Sequence, residues 1–135
     1  MRLATCLLAV TLGGTSQCTP GPAGTANSLV TGRWGAPRAE LTLTDTGGSI
    51  EYDCAHGGLS SPMYADGSGR FDVAGVHVRE HGGPIRVGEV ADSASARYVG
   101  RVSGGRMTLR VFVGPDTLGP FELVRGAAAQ LVKCL

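Results

Sequence analysis

The sequence predicts an all-β domain, an antiparallel meander closing into a small barrel of about eight strands. Three observations carry that prediction. From Trp34 onward, apolar residues recur at every second position, the period of a strand with one buried face. Glycine supplies 22 of the 135 residues and falls in short turn-like groups without a Gly-X-Y repeat. No segment carries a helical apolar stripe, and only Ala127-Ala128-Ala129-Gln130 offers one helical turn. The chain is 42% hydrophobic and 17% charged, which excludes a disordered tail and a charge-rich coiled coil.

The first element is a leader. Arg2 precedes an apolar run from Leu3 to Leu12, and the small residues Gly13, Gly14 and Ser16 follow. That is the layout of a secretory signal, and the run is about half the length a bilayer span needs. Residues 1–17 are expected to be a signal peptide and the mature protein to be exported. Two endings stay open. Gly14 and Ser16 suit cleavage before Gln17. Alternatively Cys18 carries a lipid, because the short signal and the Gly/Thr/Pro-rich stretch after it resemble a bacterial lipoprotein, although Thr15 and Gln17 depart from that pattern. Residues 18–31 read as a Gly/Pro/Thr-rich linker that holds a domain off a membrane, and residues 32–135 as the β-barrel domain.

The strands follow in order. Leu41 and Leu43 alternate with threonines until Thr46-Gly47-Gly48 turns the chain. Ile50, Tyr52 and Cys54 alternate with Glu51 and Asp53, and His56-Gly57-Gly58 is expected to break that strand. Phe71 and Val73 resume after a loop. Gly75 is expected to form a bulge that lets Val73 and Val76 share a face, leaving His77 outward. Ile85, Val87 and Glu89 suggest a short strand. Tyr98 and Val102 alternate with Arg97 and Arg101, and Ser103-Gly104-Gly105 is a hairpin turn. Met107, Leu109, Val111 and Val113 precede a turn at Gly114-Pro115-Asp116. Phe121, Leu123 and Arg125 form the next strand, and Leu131 to Cys134 the last. Short connections make neighbours antiparallel, and closure removes exposed edges.

Cysteine and charge bound the compartment and the partners. With the leader gone, Cys18, Cys54 and Cys134 remain. If Cys18 holds lipid, Cys54 and Cys134 make one structural disulfide, tying an early strand to the last. Such a bridge is worth roughly 4–5 kcal/mol of chain entropy. Losing Arg2 leaves eleven basic and eleven acidic residues. The arginines lie singly along the chain, so nucleic acid is not an expected partner.

Gly32-Arg33-Trp34 ahead of the first strand, with Arg125 in a late strand, resembles the calycin superfamily of lipocalins, fatty-acid-binding proteins and avidins. The resemblance implies a barrel-base pair, with Trp34 packed at the base and Arg125 across its ring by cation–π attraction. The remaining lipocalin signatures and avidin's biotin contacts are absent. Gly32-Arg33-Trp34-Gly35, Cys54-Ala55-His56-Gly57, His81-Gly82-Gly83-Pro84 and Lys133-Cys134-Leu135 together are similar to a group of uncharacterised exported bacterial proteins, which implies no activity.

Candidate chemistry is sparse. Cys54 and His56 share a strand face about 6.7 Å apart, acceptable for zinc, but a disulfide competes for Cys54. His77 and His81 stand about 13 Å apart on an extended strand. His81-Gly82-Gly83-Pro84 is similar to glycine-rich oxyanion loops but lacks a Gly-X-Ser-X-Gly elbow. Asp66-Gly67-Ser68-Gly69 lacks the acidic spacing of a calcium loop. No catalytic residue, metal or cofactor is expected. Two functions follow. One is a non-catalytic exported barrel, periplasmic or anchored to the outer membrane through Cys18, that binds a small apolar or amphipathic ligand. The other is an envelope protein-interaction module such as a periplasmic protease or lysozyme inhibitor. Its arm would be residues 19–31, its loops 57–69 and 81–86, and its apolar tip Leu59, Pro62 and Met63. A filled barrel interior speaks against a sizeable ligand.

Overall fold

The computed structural model describes residues 26–135. The signal peptide, Cys18 and most of the linker lie outside the described residues. The strands are β1 (Ser28–Leu29), β2 (Gly32–Ala36), β3 (Ala39–Leu43), β4 (Gly48–Tyr52), β5 (Ala55–Leu59), β6 (Tyr64–Ala65), β7 (Arg70–Arg79), β8 (Asp92–Ser103), β9 (Arg106–Val113) and β10 (Asp116–Arg125). Eight of them form a closed antiparallel barrel in the order β10-β2-β3-β4-β5-β7-β8-β9. Alternation dictates this result. On β9, Met107, Leu109, Val111 and Val113 point inward, while Arg110 and Phe112 point out.

β1 and β6 form a separate two-stranded sheet, pairing Ser28 with Ala65 and Leu29 with Tyr64. Val30 donates to the Met63 carbonyl at 2.9 Å. Val30, Met63 and Ala65 are buried there and join the barrel core. The packed structure therefore begins a few residues ahead of Gly32. Leu59 and Met63 are buried too, so they cannot be an exposed tip of the 57–69 loop. They plug the base.

Four local expectations change. First, His56-Gly57-Gly58 lies inside β5, and the turn sits at Asp53–Cys54, where Cys54 takes a φ of 53°. A Cβ on Gly57 would overlap the Tyr98 hydroxyl, so glycine there makes room for a ring rather than ending a strand. Second, Gly75 makes no bulge. It pairs in register with Ala96, and a Cβ would meet the Tyr98 ring at 2.8 Å. Alternation thus runs unbroken along β7, and His77 faces inward while Val76 faces out. Third, Ile85–Glu89 is not a strand. Arg79 pairs directly with Asp92, so residues 80–91 leave the sheet as a loop with Ile85, Val87 and Val90 exposed. Fourth, Leu131–Cys134 is not a strand, because β10 already pairs with β2 and no edge remains.

The C-terminal tail is instead fastened from outside. Cys54 and Cys134 stand at disulfide distance, with Cα atoms 4.9 Å apart. The Val132 amide donates to Asp53 at 2.7 Å. Lys133 donates to Glu51 at 2.7 Å and to Glu80 at 3.2 Å.

The core is contiguous. Trp34, Leu41, Ile50, Tyr98, Leu109 and Val111 are fully buried, and Val102 and Phe121 pack against them partly exposed. Large side chains fill the barrel lumen.

Candidate functional site

At the base, Trp34 and Arg125 are register partners across β2 and β10. The Arg125 guanidinium carbon lies 4.3 Å from the Trp34 ring centroid. Trp34 Nε1 and an Arg125 terminal nitrogen both donate to the Thr31 carbonyl, at 3.2 and 2.9 Å. Gly32 adopts a φ of +96°, and a Cβ there would stand 2.9 Å from the guanidinium. This pair closes one end of the lumen, and a shallow cleft beside Arg125 runs outside it, between Val30 and Val102.

The opposite end is the mouth. The turns β2–β3, β4–β5 and β9–β10 and the long β7–β8 loop all meet there. A cleft of about 380 Å³ opens at this end, lined by Tyr52, Ala55, His77, Leu118 and Phe121, with Arg38, Asp53 and Arg79 at its rim. Tyr52 is the centre of an aromatic cluster. Its ring centroid is 5.5 Å from that of His77 and 5.6 Å from that of Phe121.

Two polar atoms in this cluster have no partner. Tyr52 Oη and His77 Nδ1 are buried without a hydrogen bond, and each residue is only 5% exposed. Nearby Tyr98 spends its own hydroxyl on the Val76 carbonyl at 2.6 Å. Burial first, then the charge of Tyr98 and the approach of its hydroxyl, push the Tyr52 phenol far above its ordinary range, so it stays protonated and can donate. Burial, then the charge of Arg79, then His56 hold His77 below its ordinary value, against a weaker pull from Asp92. A neutral imidazole offers one donor and one acceptor.

The rim charges are matched among themselves. Arg38 meets Asp53 at 2.5 Å, and Arg79 meets Asp116 at 3.3 Å. The amide of Val132 and the Arg38 guanidinium keep Asp53 below the usual carboxylate range. The mouth thus offers an apolar wall, a neutral donor and a neutral imidazole, behind a rim with little free charge.

The other singled-out residues lie apart. His56 bonds Glu80 at 2.7 Å on the outer wall, beside Lys133. His81 sits on the 80–91 loop, bonded to Glu89 and, at 2.9 Å, to the Gly82 carbonyl. The sulfur of Cys54 faces Cys134. Among the described residues, no group of three His, Cys, Asp or Glu side chains converges as metal ligands would. The pairing of Tyr52 with His77 was missed from sequence because the expected bulge reversed parity after Gly75. Unbroken counting by twos from Phe71 through Val73 and Gly75 reaches His77 on the inner face.

No family model matches this chain, and neither a curated protein nor a solved structure matches it.

Proposed function

We propose that this protein is a non-catalytic binding barrel that holds a small amphipathic ligand at its mouth. One observation carries the reading: Tyr52 Oη and His77 Nδ1 are buried without a hydrogen bond of normal geometry, on neighbouring rings that line one cleft with Leu118 and Phe121. A buried polar group without a partner costs about 1–3 kcal/mol, and a ligand hydroxyl or carbonyl between the two would recover it. The ligand's apolar body would rest on Phe121 and Leu118. The filled lumen limits it to the mouth, so it is compact rather than a long acyl chain. Export is part of the proposal. The Cys54–Cys134 pair supports an oxidising compartment, and the leader supports passage to it, with Cys18 as the lipid anchor. The Trp34–Arg125 stack supports a calycin-like barrel.

The test is native mass spectrometry of the protein purified from its own envelope. The expected result is an adduct of small-molecule mass, lost on denaturation and absent from a Tyr52→Phe, His77→Leu double variant. A bare polypeptide mass, or an adduct indifferent to both substitutions, would overturn the reading.

One observation favours the protein-interaction reading in its place. The 80–91 loop presents Ile85, Val87 and Val90 to solvent, and the turn at Arg86–Glu89 is closed by two hydrogen bonds of 3.0 Å. An ordered apolar tip is what a partner's cleft would accept. Charging it with Ile85→Asp and Val87→Asp should abolish capture of an envelope protein; unchanged capture removes this reading.

A further inference from the structure

The outer wall carries a second feature that the mouth does not use. Arginines that lie singly along the sequence are gathered by strand register on the face of β7, β8 and β9. Arg70 stands directly opposite Arg101. Arg110 stands opposite Val99, which places it diagonally beside Arg101 on the same face. Like charges directly opposite one another weaken a sheet, so this arrangement is a cost that packing does not explain. Arg97 is held by Asp72. Among the described residues, no carboxylate comes within ion-pair reach of Arg70, Arg101 or Arg110. Two acids border the same face: Asp72 is held by Arg97, and one oxygen of Asp66 takes the amides of Ser68 and Arg70 at 2.9 Å and the Ser68 hydroxyl at 2.7 Å, with its charge felt by Arg70.

These three arginines line one groove of about 580 Å³. Tyr64 and Phe112 line it too, 50% and 40% exposed. Among the described residues they are the only aromatic side chains in the set of exposed large apolar groups, and both lie in this groove. The floor includes Gly100 and Val99.

We propose that this groove binds an anionic glycan, a saccharide chain bearing carboxylates. Guanidinium forks match carboxylates with paired hydrogen bonds, and an Arg70–Arg101–Arg110 set relieves its mutual repulsion by taking up such groups. The CH faces of sugar rings stack on exposed aromatic rings, which Tyr64 and Phe112 supply. Nucleic acid is the rival polyanion, and the test sets it against the glycan.

The experiment titrates the full chain with short oligogalacturonate, with maltodextrin as the neutral control and single-stranded oligothymidylate as the rival polyanion. Amide NMR shifts of Val99, Gly100 and Arg110 report the groove. Oligogalacturonate is expected to move these amides and maltodextrin to leave them, with binding that weakens as salt rises. Arg70→Gln with Arg110→Gln should weaken binding by tenfold or more, on the order of one charged hydrogen bond's worth. Tyr64→Ala should weaken it several-fold, and Tyr52→Phe at the mouth should leave it unchanged, which separates this site from the mouth. These side chains are exposed, and a thermal melt checks that the variants fold. No binding of oligogalacturonate, binding indifferent to the arginine substitutions, or tighter binding of oligothymidylate through the same residues would each overturn the proposal.

Discussion

Tyr52→Phe removes one oxygen from the mouth and nothing else. The ring contacts to His77 and Phe121, at centroid distances of 5.5 and 5.6 Å, survive the substitution. Tyr98 keeps its bond to the Val76 carbonyl and loses only its contact with the Tyr52 hydroxyl, which lacks normal hydrogen-bond geometry. What disappears is a buried hydroxyl without a hydrogen bond, a burden of about 1–3 kcal/mol to the ligand-free fold. The ligand-free variant should therefore be more stable than the parent by about 1 kcal/mol, the low end of that range. For a domain of this size that raises the melting temperature by about 4 °C. The assay is paired thermal and urea unfolding of both proteins, disulfide intact and stripped of bound molecules by refolding. A gain in stability together with loss of the native ligand adduct is the mark of a group kept for binding at the expense of folding. A loss of about 1 kcal/mol or more would refute the reasoning, since it would mean the hydroxyl already has a stabilising role in the protein itself.

Three further outcomes follow from the fold. Cys134→Ser should cost roughly 4–5 kcal/mol on the chain-entropy account of a bridge that spans 80 residues, read as a lower urea midpoint that reductant no longer shifts. Gly75→Ala should destabilise by about 1–3 kcal/mol, because its methyl meets the Tyr98 ring and overlaps the Gly58 carbonyl; Gly105→Ala, with open space around it, is the control in the same melt. The His81–Glu89 clasp should follow pH in a defined window. The Gly82 carbonyl and Glu89 raise His81, so its contribution is complete below the unfolded value and is lost as pH rises through the raised one. The Arg86 amide and His81 lower Glu89, so its contribution is present above the unfolded value and is lost as pH falls through the lowered one. The protection of the Arg86 amide, which donates to Glu89, measured against the unfolded exchange rate at each pH, should be greatest between those limits and fall on either side.

The fold was legible because burial on one face writes itself into every second residue. Leu41, Ile50, Tyr98, Leu109 and Leu123 each fall inward where alternation puts them. Strand limits were less legible wherever glycine served packing rather than turning. Gly57 and Gly75 look like breaks in a sequence, yet both sit mid-strand because Tyr98 occupies the space a side chain would need. The same substitution of ring for side chain hid His77. The tail was misread because apolar alternation in Leu131 to Cys134 cannot reveal that β2 and β10 have already met. Arg70, Arg101 and Arg110 are far apart in sequence, and only hairpin register brings them together.

Closure of the barrel leaves a seam, and it is unevenly sewn. β7 and β8 pair along their full common length from Arg70–Arg101 to Arg79–Asp92. β10 and β2 pair only through Val124–Gly35 and Arg125–Trp34, helped by the Gly126 amide on the Arg33 carbonyl at 2.7 Å. The Arg125–Trp34 stack is thus a rivet at the join with the fewest stitches. If the ring of strands opens anywhere, it opens there, and β10 then stays tied to β9 on one side and, through the tail and the Cys54–Cys134 bridge, to the β4–β5 turn on the other. The bridge therefore keeps an opened seam within one molecule, and only its reduction would let β10 exchange onto the same join of a neighbouring copy.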